Sequence, residues 1–265
     1  MKKNKTALIL GTLMLLVLSV NVGAYAFYRQ KNNIYKDKCF IYEGNSYYAF
    51  GSGEPVQVRF IVIDAKKCFS QVEGDLKGFL RGEMGDASVK SIEITKSGKS
   101  MEYTSYILNC SVDLIDAPCE YLFNTLHINN IGEFELGNVF VERVATENND
   151  RIKPGYHVTS AYTDLYELNV EDVPEGTEFK SLIIKNDRGE KFAGEWREDP
   201  VISGKNKPKE LHFVFGNREL LNLKPIITYV SEGREFVTTA LIPTNYKQTL
   251  SKDEVGEYIR SHYGE

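Results

Sequence analysis

The chain has 265 residues, with 32 basic and 37 acidic side chains and a formal net charge of −5. The two signs are interspersed, so the basic stripe of a nucleic-acid binder is absent, and nucleic acid is excluded as an expected partner. The only basic cluster, Lys205, Lys207 and Lys209 around Pro208, reads as a solvated loop.

The first element is the N-terminal leader: Lys2, Lys3 and Lys5, an uncharged and mostly apolar run from Thr6 to Tyr28, then Arg29. Two readings compete. As a membrane anchor, about 22 residues rising about 1.5 Å each cross a hydrocarbon core of about 30 Å. Tyr25, Phe27 and Tyr28 then form an aromatic belt at the outer interface. As a signal peptide, Ala7–Val20 is the apolar segment and Ala24-Tyr25-Ala26 a small-x-small site, with cleavage after Ala26. The lysines place the N-terminus inside in either case. The anchored chain is a single-pass protein of the cell membrane, with lipid around its leader and its bulk extracytoplasmic. The cleaved chain is secreted.

Behind the leader lies enough chain for one large or two small domains. The turn-rich stretch 147–155, within Ala145–Gly155, reads as a linker between β-rich units 29–146 and 156–246, with 247–265 as a C-terminal amphipathic helix. In the first unit, Cys39–Tyr42 and Tyr47–Phe50 flank a short loop and read as a hairpin. Val56–Ile63 is a β-branched strand. Val72, Leu76, Phe79 and Leu80 have helical spacing over Gln71–Met84, a helix weakened by Gly74, Gly78 and Gly82. Val89–Thr95 and Met101–Leu108 flank Lys96–Lys99 as a second hairpin, and Phe134–Val144 closes the unit. All four cysteines, Cys39, Cys68, Cys110 and Cys119, fall here. Outside the cytoplasm an even count permits disulfides, and the short-loop pairing Cys39–Cys68 with Cys110–Cys119 is the expected one. Free thiols are the alternative, and no C-x₂₋₄-C pair marks a zinc site.

In the second unit, Thr177–Lys185 and Glu190–Arg197 flank a turn, Leu211–Phe215 follows the lysine loop, and Ile226–Val230 with Glu235–Ile242 form a hairpin about Gly233. Short strands with turn signals every 8–15 residues or so predict a mainly β protein of two small antiparallel sandwich or barrel-like domains. Ser251 and Glu254 have capping-box spacing, and Val255, Tyr258, Ile259 and His262 form one stripe of the final helix. Its own domain is the expected docking surface.

No catalytic motif stands out. The four histidines show no metal-ligand spacing, and no P-loop, G-x-S-x-G or G-x-G-x-x-G occurs. The acidic group Asp164, Glu167, Glu171, Asp172, Glu175 and Glu178 matches no EF-hand loop and reads as a solvated edge. No cofactor or metal is expected. The aromatics are more suggestive: Tyr47, Tyr48, Tyr103, Tyr162, Tyr166 and Trp196 are candidate binding residues, able to stack on sugars or build a protein-binding patch. Their bland reading is cross-strand pairing within sheets.

The resulting expectation is a non-catalytic, membrane-tethered extracytoplasmic binding protein, an accessory subunit of a bacterial cell-envelope complex, whose partner is a membrane protein or a cell-wall component. Two alternatives come from other classes. One is an envelope hydrolase with carboxylates assembled by the fold. The other is an envelope sensor acting through a membrane partner, because the cytoplasmic stub is too short to signal alone.

Overall fold

The computed structural model describes residues 14, 18–23, 33–70, 72, 74–146, 153–154, 165–171, 173–174, 176–185, 191–193, 195–196, 209–214, 220–240, 244–245 and 250–264. Residues 14 and 18–23 are helical; Lys2, Lys3, Lys5, Ala24, Ala26 and Tyr28 lie outside the described residues. Among the described residues no helix is long and apolar enough to cross a membrane.

The protein is mainly β, with one large curled sheet and a short C-terminal helix. Residues 39–143 contribute β1 (Cys39–Ile41), β2 (Asn45–Phe50), β3 (Val56–Asp64), β4 (Leu76–Gly82), β5 (Ala87–Lys99), β6 (Thr104–Asp113), β7 (Cys119–Ile128) and β8 (Gly132–Arg143). The remainder contributes β9 (Lys153–Pro154), β10 (Leu165–Glu171), β11 (Glu178–Lys185), β12 (Lys191–Ala193), β13 (Glu195–Trp196), β14 (Lys209–Val214), β15 (Leu220–Lys224), β16 (Ile226–Ser231), β17 (Arg234–Thr239), β18 (Thr244–Asn245) and the helix α1 (Lys252–Tyr263). The large sheet runs β1-β3-β6-β5-β4-β7-β8-β2-β15-β18. Two four-stranded sheets, β13-β14-β10-β9 and β12-β11-β16-β17, complete the set among the described residues.

Alternation builds the large sheet. Along β3, Val56, Val58, Phe60 and Val62 point inward and are at most 5 % exposed. They join Leu80, Leu108, Cys110, Phe123, Leu126 and Val141 in one apolar core. The sheet wraps this cluster until β2 reaches back to β3, where the Tyr48 hydroxyl donates to Arg59 O (3.2 Å) and accepts from Arg59 N (2.9 Å).

Three local expectations are corrected. β1 and β2 do not form a hairpin: β1 pairs antiparallel with β3, and β2 pairs parallel with β8 and with β15. Both partners of β2 are parallel, so the ladder is not antiparallel throughout. The segment expected as a weak helix contains β4 instead. Glycines four apart share one face of a strand as they share one face of a helix. Here that face passes against β7 so closely that a Cβ on Gly78 would sit 2.0 Å from His127 O, and one on Gly82 1.8 Å from Leu122 O. Two of the three glycines that weaken the helix, Gly78 and Gly82, are the residues that let this strand pair.

α1 has the expected capping box, with Ser251 Oγ accepting from Glu254 N and the Glu254 carboxylate accepting from Ser251 N. Its docking surface differs from expectation. Val255, Tyr258 and Ile259 pack against Tyr35, Phe40, Ile63 and Tyr103 from the N-terminal half of the chain, with Phe40 stacked on Tyr258 at 5.0 Å. The apolar stripe fixed which face is buried but not which sheet receives it. Similarly, β15 joins the large sheet beside β2, and Tyr47, Ala49 and Phe140 share a core with Leu223, Ile227, Tyr229 and Phe236.

Candidate functional site

A groove of about 280 Å³ lies where the β5–β6 hairpin meets the start of α1. Ile61 and Ile63 of β3 line it, together with Ser97, Gly98 and Lys99 of β5, Ser100, Tyr103, Ser105 of β6, Leu250 and Lys252. The hairpin sequence explains the shape. A bulge falls between Lys96 and Gly98, and a Cβ on Gly98 would lie 2.7 Å from Ser105 Oγ, inside the groove. Ser100 Oγ accepts the backbone N–H groups of Glu102 and Tyr103, each at 3.1 Å. That side-chain turn aims Tyr103 back at the sheet.

Tyr103 is 9 % exposed, its ring 5.2 Å from that of Tyr35. Burial raises both phenols above their ordinary value, so both remain neutral donors at pH 7. Lys252 Nζ pairs with Glu102 Oε1 at 2.9 Å, and the Tyr35 hydroxyl donates to Lys252 O at 3.1 Å. The groove thus offers serine hydroxyls, an aromatic ring and two ammonium groups over an isoleucine floor. Neither a carboxylate nor a histidine is among its lining residues. Such a surface suits recognition of a polar segment bearing carbonyl or anionic oxygens.

Among the described residues, Tyr103 is the one candidate aromatic that lines this groove. Tyr47 and Tyr48 are corrected from binding to core residues. Both are 0 % exposed, and the Tyr47 hydroxyl donates to Glu142 Oε2 at 3.2 Å. They lie in a strand buried on both faces, where alternation cannot mark an outer side. Tyr166 falls on β10 and Trp196 on β13; Tyr162 lies outside the described residues. Leu250 and the groove serines carried no distinguishing sequence signal. Gly98 did carry one: a glycine within a strand often marks a bulge or a close approach.

The cysteines divide differently from the expected pairing. All four are free thiols. The Cys39 and Cys68 sulfurs and an Asp64 carboxylate oxygen lie within 4.8 Å of one another. The Cys110–Cys119 bridge is ruled out by register. Cys110 is level with Ile92 and Ile92 with Leu76, while Gly78 faces Ile128, which leaves Cys119 at the opposite end of β7. Short sequence separation does not bring them together because two strands, β5 and β4, stand between.

A second polar centre, unmarked in the sequence, joins the two halves. Lys224, 0 % exposed, pairs through Nζ with Glu54 Oε1 and lies 4.1 Å from the centre of the Phe50 ring. Glu54 Oε2 accepts from Thr239 Oγ1 (3.1 Å) and Gly51 N (2.9 Å). Arg143 Nη1 donates to Gly51 O (2.6 Å) and Glu54 O (3.1 Å). Desolvation lowers the Lys224 pKa to about 8, against the pull of Glu54. With its ammonium wholly buried, this centre fastens β2, β8, β15 and β17 together.

No family model matches the chain, and no curated protein matches it. Among solved structures the chain is similar to a chimeric titin Z1Z2-Z1Z2 tandem, at 13 % identity over 77 % of this chain and 97 % of that one, with a TM-score of 0.21. It is also similar to the I9–I11 tandem from titin, at 14 % identity over 77 % and 66 % of the two chains, again with a TM-score of 0.21. Superposition this poor assigns no function.

Proposed function

We propose that this chain is a non-catalytic interaction protein, held to the outer face of a cell membrane by its leader, and an accessory subunit that grips a membrane-protein partner through the Tyr103 groove. In this reading 29–146 and 156–246 are two sandwich or barrel-like units, extracytoplasmic, with the N-terminus inside.

One observation carries the tether: Leu18, Val20 and Val22 are helical yet 59–66 % exposed. Apolar side chains left uncovered on a helix flanked by lysines are suited to lipid rather than water. The groove's position supports the choice of partner. The Tyr103 ring lies against that of Tyr35 in a tilted pair, and Tyr35 follows Tyr28 by seven residues, at most about 25 Å of extended chain. A groove so close to the tether faces what is embedded beside it.

A photo-cross-linking residue at Lys99, beside the groove, tests this in intact cells against the same residue at Lys90, towards the other end of β5. Capture of one integral membrane protein from position 99 and not from position 90 is the expected outcome. Equal capture from both positions, or capture only of wall glycan or lipid, contradicts the reading.

A further inference from the structure

We propose that Cys39 and Cys68 are a disulfide-forming pair, whose closure clamps the first strand of the fold at the point where the tether arrives. The proposal rests on the reading above for the source of oxidant and for the load on the strand, while the bridge itself is argued from geometry alone.

The two sulfurs are held near each other by everything around them. Cys39 opens β1 and stands opposite Asp64, the last residue of β3. Lys38 O accepts from Ala65 N (2.9 Å) and Lys66 N (3.1 Å), tying the chain just before Cys39 to the loop that carries Cys68. Asp64, 2 % exposed, accepts from Cys68 N through Oδ1 (3.0 Å) and from Phe69 N through Oδ2 (2.9 Å). The carboxylate thus fixes the loop's path, and the sulfurs lie within 4.8 Å. Sulfurs at that spacing stand a few ångströms from the roughly 2 Å of a bond, and the proposal requires side-chain rotation to close the remainder.

The same geometry argues against a metal. Among the described residues the cluster supplies three ligand atoms, two sulfurs and an Asp64 oxygen that already accepts a backbone N–H, where a structural zinc site needs four. Burial and the neighbouring carboxylate also push the Cys39 thiol up, away from the thiolate a metal requires.

Closure proceeds by exchange with an external disulfide, carried by a thiol–disulfide oxidoreductase or by oxidised glutathione. The Cys68 thiolate attacks one sulfur of that disulfide and expels the other as a thiolate, which takes up a proton. Cys39 then loses its proton to water and attacks the Cys68 sulfur, expelling the second external thiolate. The protein loses two hydrogens and two electrons, and the external disulfide becomes two thiols.

The consequence is mechanical. β1 has three residues and is an edge of the large sheet, yet any pull on a tether at residues before 33 reaches it first. Its Phe40 also carries the stacking contact with α1. A covalent clamp at the strand's first residue would let neither the strand nor the helix peel away under load.

The test uses detergent-solubilised full-length protein equilibrated with oxidised and reduced glutathione, and so does not depend on where the protein resides. In the oxidising buffer the expected result is a mass lower by two hydrogens, a cross-linked peptide joining residues 39 and 68, and two titratable thiols of the four. Amide exchange over 39–41 should slow by about tenfold or more against the reduced form, as a loop-closing bridge predicts. C68S should abolish the bridge, and C110S and C119S should keep it. Four thiols in the oxidising buffer, a bridge to either other cysteine, or stoichiometric zinc retained by four-thiol protein would overturn the proposal. An unbridged protein with a retained leader would leave the tether standing, so the two readings fail separately.

Discussion

Glu54→Ala is expected to destabilise the protein by about 3–5 kcal/mol, because it strands a charged lysine in the interior. Lys224 is wholly buried, and Glu54 is its ion-pair partner. Arg143, nearby, adds repulsion rather than relief. Combining Glu54→Ala with Lys224→Met should recover most of the loss, since the charge that needed a partner is then gone. Guanidinium midpoints of the two variants and the native chain check both statements; a loss below about 1 kcal/mol for Glu54→Ala would mean the pair is not buried as described.

The same lysine gives stability a pH dependence of definite sign. In the unfolded chain Lys224 keeps its proton up to its ordinary pKa of 10.5, whereas in the fold it releases it near 8. Between those values the unfolded state binds more protons, so this group makes stability rise with pH. Tyr47, Tyr48 and Tyr258 act oppositely, because burial raises their phenols above the ordinary 10. Above that value the unfolded chain loses protons the fold retains, and stability falls. Burial likewise raises the Cys39 and Cys110 thiols above their ordinary 9, so in the reduced protein stability should climb from about pH 8 to about pH 9 and decline beyond. Lys224→Met should remove the climb and keep the decline.

The second large effect is expected at Gly82→Ala: a loss of about 3 kcal/mol or more, or a fall in Tm of about 6–12 °C for a fold of this size. The added Cβ would lie 1.8 Å from Leu122 O and 2.9 Å from Phe123 Cα. These are backbone atoms, so no side-chain rotation relieves the contact and β4 must separate from β7 over the main core. Gly74→Ala is the matched control. It has a positive φ of 92° but open space around it, so it should cost only the backbone term of about 1 kcal/mol. Equal melting temperatures for the two variants would refute the close passage of β4.

Alternation made the strands legible where one face is buried and the other wet. β3 and the β16–β17 hairpin fall at their expected positions because Val56–Val62 and Ile226–Thr239 carry that pattern with turn residues at the ends. β4 was misread because four-residue glycine spacing serves helix and strand alike. β7 and β15 went unread; β15 is a short segment that pairs with the distant β2, and pairing between distant segments leaves no local trace. The helix declared itself through Ser251 and Glu254 but not its destination. Of the groove, only Tyr103 was singled out, since serines become a site only when a fold gathers them. Cys39 and Cys68, expected to be bonded, are free thiols whose sulfurs lie close together. Cys110 and Cys119 are not brought together: nine residues of separation say nothing about the two strands between them.

The claim that organises the rest is the tether. The most direct measurement is the intact mass of the protein recovered from alkali-washed membranes and from the culture supernatant. The account predicts a membrane-bound species that retains the leader from its N-terminal end through Tyr28. A soluble species beginning at Phe27 would contradict it, and would remove both the membrane partner and the load that a Cys39–Cys68 clamp would bear.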